Sequence, residues 1–171
     1  MPRVGVTGHR QLADVAAAGA GVDAALAAIE APFPKEPLRV LSSLAEGADR
    51  LVARRVLSRP GARLVAVLPL PVLDYLTDFE SPQSREEFLA LLGEAETIVE
   101  MPAADSRTEA YEQAGRYVVE HCDVLLAVWD GLPAQGRGGT AEIVAWARDL
   151  GKPICRVWAD VVDFSGLRRG T

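Results

Sequence analysis

DVLLAVWDGLPAQGRGGTAE, residues 123–142, decides how this chain is read. Its first seven residues, DVLLAVW, are apolar almost without a break. A strand with one wet face alternates apolar and polar side chains; a strand covered on both faces does not. The run therefore predicts a strand buried between two layers. A glycine-rich loop follows, and then a helical run, residues 139–150, with Gly151 as its stop. Strand, glycine-rich loop and helix in that order form half of a crossover unit.

The same alternation extends outward on both sides. Short apolar runs at residues 3–6 (RVGV), 38–41 (LRVL), 63–68 (RLVAVL), 96–101 and 153–158 predict further strands. Helical runs lie between them at residues 11–30, 47–57, 85–92, 108–121 and 139–150. In residues 108–121, Tyr111, Ala114, Tyr117 and Val118 recur at spacings of three and four, which places them on one helix face. Residues 69–82 show no period and read as a long loop. From Asp160 the chain reads as a short, loosely held tail. Strands alternating with helices predict an α/β domain with a mostly parallel sheet, residues 1–171 forming one domain.

Composition narrows the function. The chain has 171 residues, 24 acids against 18 bases and a formal charge of −6. An acidic surface does not suit duplex nucleic acid, whose phosphates call for clustered bases. The two cysteines, Cys122 and Cys155, lack CxxC spacing, which argues against a disulfide framework or a zinc site and suits a reducing cytoplasm. No run approaches the roughly 18 consecutive apolar residues of a membrane span, and no signal-peptide stretch opens the chain. The expectation is a cytoplasmic protein with no membrane association, no metal and no cofactor.

Three strand-following loops carry unusual chemistry, and a parallel sheet opens all three on its carboxyl edge, where such folds bind ligands. After the first strand, Gly8 lets the backbone approach a ligand, and His9 and Arg10 suit phosphate or ribose. After the second, residues 42–49 (SSLAEGAD) offer the Ser42 and Ser43 hydroxyls, Gly47 at a helix start and Asp49 in its first turn. After the strand at residues 123–129 come Asp130, Gly131, Gly138, Gly139, Thr140 and Glu142. Exposed amides at a helix start, with the helix dipole behind them, favour an anion. A purely structural reading of each loop stays open. It makes Arg10 a solvated side chain, Ser43 and Glu46 a capping box, and Thr140 a helix cap.

Several familiar signatures are missing. GxGxxG does not follow the first strand, no GxxxxGK[ST] occurs, and no Gly-x-Ser-x-Gly elbow is present. Tyr75, Asp78 and Phe79 fall in the long loop, where they could cover a base or simply pack. Trp129, Trp146 and Trp158 read as core or as a dimer surface. His121 reads as a helix-end residue that satisfies carbonyls.

The loops carry a family resemblance. VGVTGHR, residues 4–10, resembles the VAIVGSR strand-loop of the Smf/DprA proteins, and SSLAEGADRLVA, residues 42–53, resembles their SGLARGID helix start. DVLLAVWDG followed by GGTAEIVAWARDLGKPI resembles the DAFIALPGGxGTLEE region of the LOG proteins, once labelled lysine decarboxylases. Together, over roughly residues 3–158, these motifs look like the SLOG superfamily of Rossmann-like nucleotide-binding domains. The resemblance implies a Rossmann-like three-layer sandwich and a nucleotide or nucleotide-derived ligand, sensed or carried, with a homodimer as the expected assembly. Gly8, His9 and Arg10 would face phosphate or ribose. Ser42, Ser43, Gly47 and Asp49 would line a second side. Gly138, Gly139 and Thr140 would cradle a phosphate.

The LOG enzymes hydrolyse the N-glycosidic bond of a nucleoside 5′-monophosphate, and the nucleoside deoxyribosyltransferases also carry a GT-acid segment before a helix ending in GKP. Either activity would call on Glu142 as catalytic carboxylate, with Asp130 as a second acid. This chain departs from the LOG pattern: His9 replaces a serine, Ser43 a glycine, and Arg116 is only a displaced counterpart of the LOG arginine. An interaction module whose nucleotide site has decayed is the third reading.

Overall fold

The structure is a computed structural model and describes residues 1–133, 139–159 and 161–165. The sheet begins with β1 (Arg3–Gly8), β2 (Arg39–Ser42), β3 (Arg63–Leu68) and β4 (Thr97–Glu100), and continues with β5 (Val124–Val128), β6 (Ile154–Trp158) and β7 (Val161–Ser165). Helices α1 (Val15–Glu30), α2 (Ala48–Leu57), α3 (Val72–Tyr75), α4 (Pro82–Gly93), α5 (Arg107–His121) and α6 (Thr140–Asp149) connect them. The spatial order is β4-β3-β2-β1-β5-β6-β7, and every pairing is parallel except that of β6 with β7. The architecture is a Rossmann-like α/β three-layer sandwich.

The strands run outward from β1 to β4. The chain then crosses back and lays β5 against the free side of β1, with Val4 opposite Val124 and Gly8 opposite Val128. Strand order therefore reverses between β1 and β5, the place where a parallel sheet opens a crevice at its carboxyl edge.

Two apolar layers explain the unbroken hydrophobic runs. On β5, Val124, Leu126 and Val128 pack on one face with Val22, Leu26 and Val52 in the same core. Leu125 and Ala127 pack on the other with Val118, Ile143 and Val144. All five β5 residues are buried. Each valine or leucine among them contributes about 1.5–3 kcal/mol through burial. Helix α1 turns Ala18, Gly19, Gly21 and Ala25 inward, where they are buried. Its small residues let the helix lie close to the sheet.

Two segments differ from the sequence-based expectation. Residues 69–82 hold α3, a 3-10 turn at Leu76–Asp78 and the start of α4. Ser81 caps α4, its hydroxyl accepting from the Ser84 amide at 3.0 Å, and Pro82 occupies the first turn. The helix thus begins three residues before the expected start at Arg85. The expected tail from Asp160 instead returns as β7, antiparallel to β6, with Phe164 opposite Cys155. Only Val162 of this strand is even half-buried. An edge strand that buries so little leaves little pattern to read. Among the described residues, no helix is long and apolar enough to cross a membrane.

Candidate functional site

The β1 and β5 loops and the start of α2 interlock at the switch point. The His9 amide donates to the Val128 carbonyl at 3.1 Å, and the His9 carbonyl accepts from the Ala48 amide at 3.0 Å. The first loop is thereby fixed between β5 and the start of α2. Side-chain-free positions make this possible. A Cβ on Gly8 would lie 2.5 Å from the Ala48 Cβ and 2.6 Å from the Val128 carbonyl oxygen. Gly47 has φ of +81°, and a Cβ there would lie 2.3 Å from the Arg10 carbonyl oxygen. Both glycines serve protein packing first, and the shape of the crevice depends on them.

The β2 loop is built from inside. The Ser42 hydroxyl accepts from the Leu44 amide at 3.0 Å and reaches the Asp49 carbonyl at 3.4 Å. Leu44 holds a left-handed φ of +55°. Its carbonyl accepts from Arg50 Nε at 3.0 Å, and the guanidinium, only 2% exposed, continues to the Ser84 carbonyl and hydroxyl. The guanidinium also lies 4.5 Å over the Phe79 ring. The capping-box alternative does not occur. Gly47 precedes α2 with no side-chain cap, the Ser43 carbonyl accepts from the Tyr75 hydroxyl at 3.0 Å, and Glu46 accepts from the Ser84 hydroxyl at 2.9 Å.

Asp49 is 8% exposed, and its Oδ2 accepts from the Ala45 amide at 3.2 Å. Burial pushes its carboxyl up to about 7, against opposing pulls from the Ala45 amide, Arg10 and Arg50.

On the β5 side, Asp130 Oδ1 accepts from the Leu132 amide at 2.9 Å and lies 3.3 Å from His9 Nε2. The Leu132 amide, aided by His9, holds the Asp130 carboxyl below the usual carboxylate range. The Trp158 ring meets His9 edge-on at 5.5 Å. Arg156 braces the loop from β6, with Nε 3.3 Å from the Trp129 carbonyl and Nη2 3.4 Å from the Asp130 carbonyl. Helix α6 opens at Thr140 with extended Gly139 before it and no side-chain cap. Thr140 is thus the first helical residue rather than the cap. The Glu142 and Ile143 amides close on the Gly139 carbonyl at 3.1 and 3.2 Å, and the earlier amides of a helix start, which have no partner within the helix, suit an anion.

These loops and α5 line a half-open cavity of about 560 Å³. Of the expected site residues, Gly8, His9, Arg10, Ser43, Asp49, Asp130, Gly139 and Thr140 line it. Ser42, Gly47 and Gly131 stand outside the lining, the first two as loop scaffolding and Gly131 packed on the Arg156 guanidinium. Gly138 lies outside the described residues. Glu142 and Arg116 are also outside the lining. Arg116 pairs with Glu112 at 2.9 Å and covers the Trp146 ring at 4.4 Å, so it ties α5 to α6.

Sequence reasoning missed the α5 wall. Thr108, Tyr111 and Gly115 line the cavity, and the Arg10 guanidinium lies 5.2 Å over the Tyr111 ring. The helical spacing that includes Tyr111 held that signal. Trp129, read as core or dimer surface, is a core residue at 7% exposure, and its edge lines the cavity too. Tyr75 and Phe79 are fully buried packing residues, although the edge of Tyr75 reaches the lining. Asp78 pairs with Arg107 at 2.9 Å.

Fold and cavity together define a Rossmann-like α/β protein with a ligand-sized crevice at its switch point. The chain matches no protein-family model, and no curated protein matches it. Its fold is similar to the X-ray structure of TM1055, a Northeast Structural Genomics Consortium target. The TM-score is 0.52 at 18% identity, with 90% of this chain and 72% of the other covered. At that identity the likeness concerns the fold alone.

Proposed function

We propose that the cavity binds a nucleotide or nucleotide-derived ligand, and that the protein is a SLOG-type sensor or carrier of that ligand. The observation that carries this reading is the convergence, in one cavity of about 560 Å³, of Arg10, the uncapped start of α6 at Gly139 and Thr140, and the flat side chains of Tyr111 and Trp129. Phosphate suits the amides and the guanidinium, and a base suits the Tyr111 side of the cavity, Trp129 being almost wholly buried in the core. The volume falls within the range of small-molecule sites.

The catalytic alternative, a nucleoside-phosphate N-glycosidase or deoxyribosyltransferase using Glu142, has less support. A nucleophile or oxocarbenium-stabilising acid must touch the sugar, and Glu142 is not among the cavity-lining residues. Asp130 lines the cavity and is the better-placed acid.

A thermal-shift screen with nucleoside monophosphates, cyclic nucleotides, NAD, ADP-ribose and deoxynucleosides, followed by chromatography of each mixture, tests the proposal. A ligand at 100 times its Kd adds about 2.7 kcal/mol. Stabilisation with the ligand recovered intact supports a sensor or carrier. Release of free base establishes a glycosidase. Turnover that survives Glu142→Gln excludes Glu142 from it. No stabilisation by any compound refutes nucleotide binding.

A further inference from the structure

Asp49 is a carboxyl more than nine-tenths buried that nevertheless reaches the cavity. One oxygen, Oδ2, is occupied by the Ala45 amide at 3.2 Å. The other, Oδ1, meets no donor among the described residues, and Asp49 lines the cavity. A buried carboxylate with an open acceptor is expensive to maintain unless a donor fills it. The backbone around it is held in place: Ser42 binds the Asp49 carbonyl, and Arg50 on the next position is locked to the Leu44 carbonyl.

Resting on the nucleotide reading, we propose that Asp49 is the specificity-determining residue of this cavity and accepts a ribose hydroxyl of the ligand, so that ribonucleotides are selected over deoxy analogues. Arg10 sets the geometry. It lines the same cavity and acts electrostatically on Asp49. A phosphate is repelled by the Asp49 carboxylate and drawn to Arg10 and the α6 amides. The group joined to a phosphate held there is the sugar, and its hydroxyls are the donors that come next to Asp49. A site built to bond a hydroxyl rejects the analogue that lacks it far more strongly than an apolar pocket rejects a missing methylene.

The charged and titratable groups facing Asp49 are Arg10 from the β1 loop, Arg50 from α2 and the Tyr75 hydroxyl from α3. Burial has moved the free carboxyl up to about 7. Selection by the carboxylate therefore strengthens from pH 6 to pH 8, as the acceptor ionises.

Calorimetric titration of AMP, GMP, CMP and UMP, and of their 2′,3′-dideoxy counterparts, tests this on wild type and Asp49→Asn. The expected result is a preference of tenfold or more for the ribo form in wild type, lost in Asp49→Asn. Asparagine can keep the Ala45 amide bonded, and a thermal melt checks its folding. In wild type alone, the preference is expected to grow about tenfold from pH 6 to pH 8, from the ionised fraction of a group titrating near 7. Equal binding of both forms by wild type overturns the Asp49 assignment and leaves the nucleotide reading intact. So does a preference that survives in Asp49→Asn. An Asp49→Asn effect confined to the amino-bearing bases, equal for ribo and dideoxy forms, also overturns it, because a base amino group would then be the donor. No binding by any probe overturns both readings together.

Discussion

The carbonyl of His9 accepts from the amide of Ala48 at 3.0 Å, so the loop after β1 caps the helix that carries Asp49. Neither loop can move without the other. Gly47 makes the contact possible, because its φ of +81° and missing side chain let the Arg10 carbonyl approach to what would be 2.3 Å from a Cβ. Gly47→Ala is expected to destabilise the protein by about 3 kcal/mol, from left-handed strain plus a backbone collision. Chemical denaturation gives the value. A loss under about 1 kcal/mol would mean that the loops are not interlocked.

The Asp49 carboxyl fixes a second expectation. Its value in the folded protein, about 7, lies above the ordinary carboxyl value of 3.8. The folded state therefore holds a proton that the unfolded state has released between those values, and Asp49 lowers stability progressively as pH rises from about 4 to 7. Asp49→Asn is expected to stabilise the ligand-free protein by about 2–4 kcal/mol at pH 8, with the gain fading below pH 4. Urea unfolding of both proteins across that range measures it. An equal difference at every pH would exclude Asp49 as the source.

Arg50 supports the cavity from behind. Its guanidinium is buried and satisfies the Leu44 carbonyl and the Ser84 carbonyl and hydroxyl. Arg50→Met keeps much of the apolar stem but leaves the Leu44 carbonyl without this donor. A loss of about 2–4 kcal/mol is expected. A near-neutral change in denaturant midpoint would show that the bonds around Leu44 do not hold the loop.

Arg10 is exposed and lies over Tyr111 at 5.2 Å. Arg10→Ala is expected to leave the melting temperature almost unchanged. It should weaken binding of a nucleoside monophosphate by tenfold or more, the worth of about 1.5–3 kcal/mol in charge-assisted bonds. Binding of the unphosphorylated nucleoside should fall far less, through the electrostatic effect of Arg10 on Asp49 alone. An equal loss for both would mean that Arg10 does not touch the phosphate.

Much of the fold was legible because two covered faces write a plain pattern. DVLLAVW and LVAVL fit strands covered on both faces, set between helical runs. The carboxyl-edge loops were legible through Gly8, Gly47 and Gly139, since a parallel sheet brings the ends of its strands together. Less could be read where a contact joins distant positions. Nothing near Arg50 announces Ser84, and nothing near Gly131 announces Arg156. Glu142 shows the reverse limit: one turn of a helix decides whether an acid faces the cavity, and motif spacing does not supply that angle. β7 was missed because its five residues bury almost nothing.

The most direct test of ligand binding at the switch point is a titration of the ¹⁵N-labelled protein with a ribonucleoside 5′-monophosphate, followed by amide NMR. The expected result is saturable shifts at the amides of Gly139, Thr140 and Ala141, with smaller ones at Gly8 to Arg10. Saturable shifts confined to another surface, or none up to millimolar ligand, would contradict it.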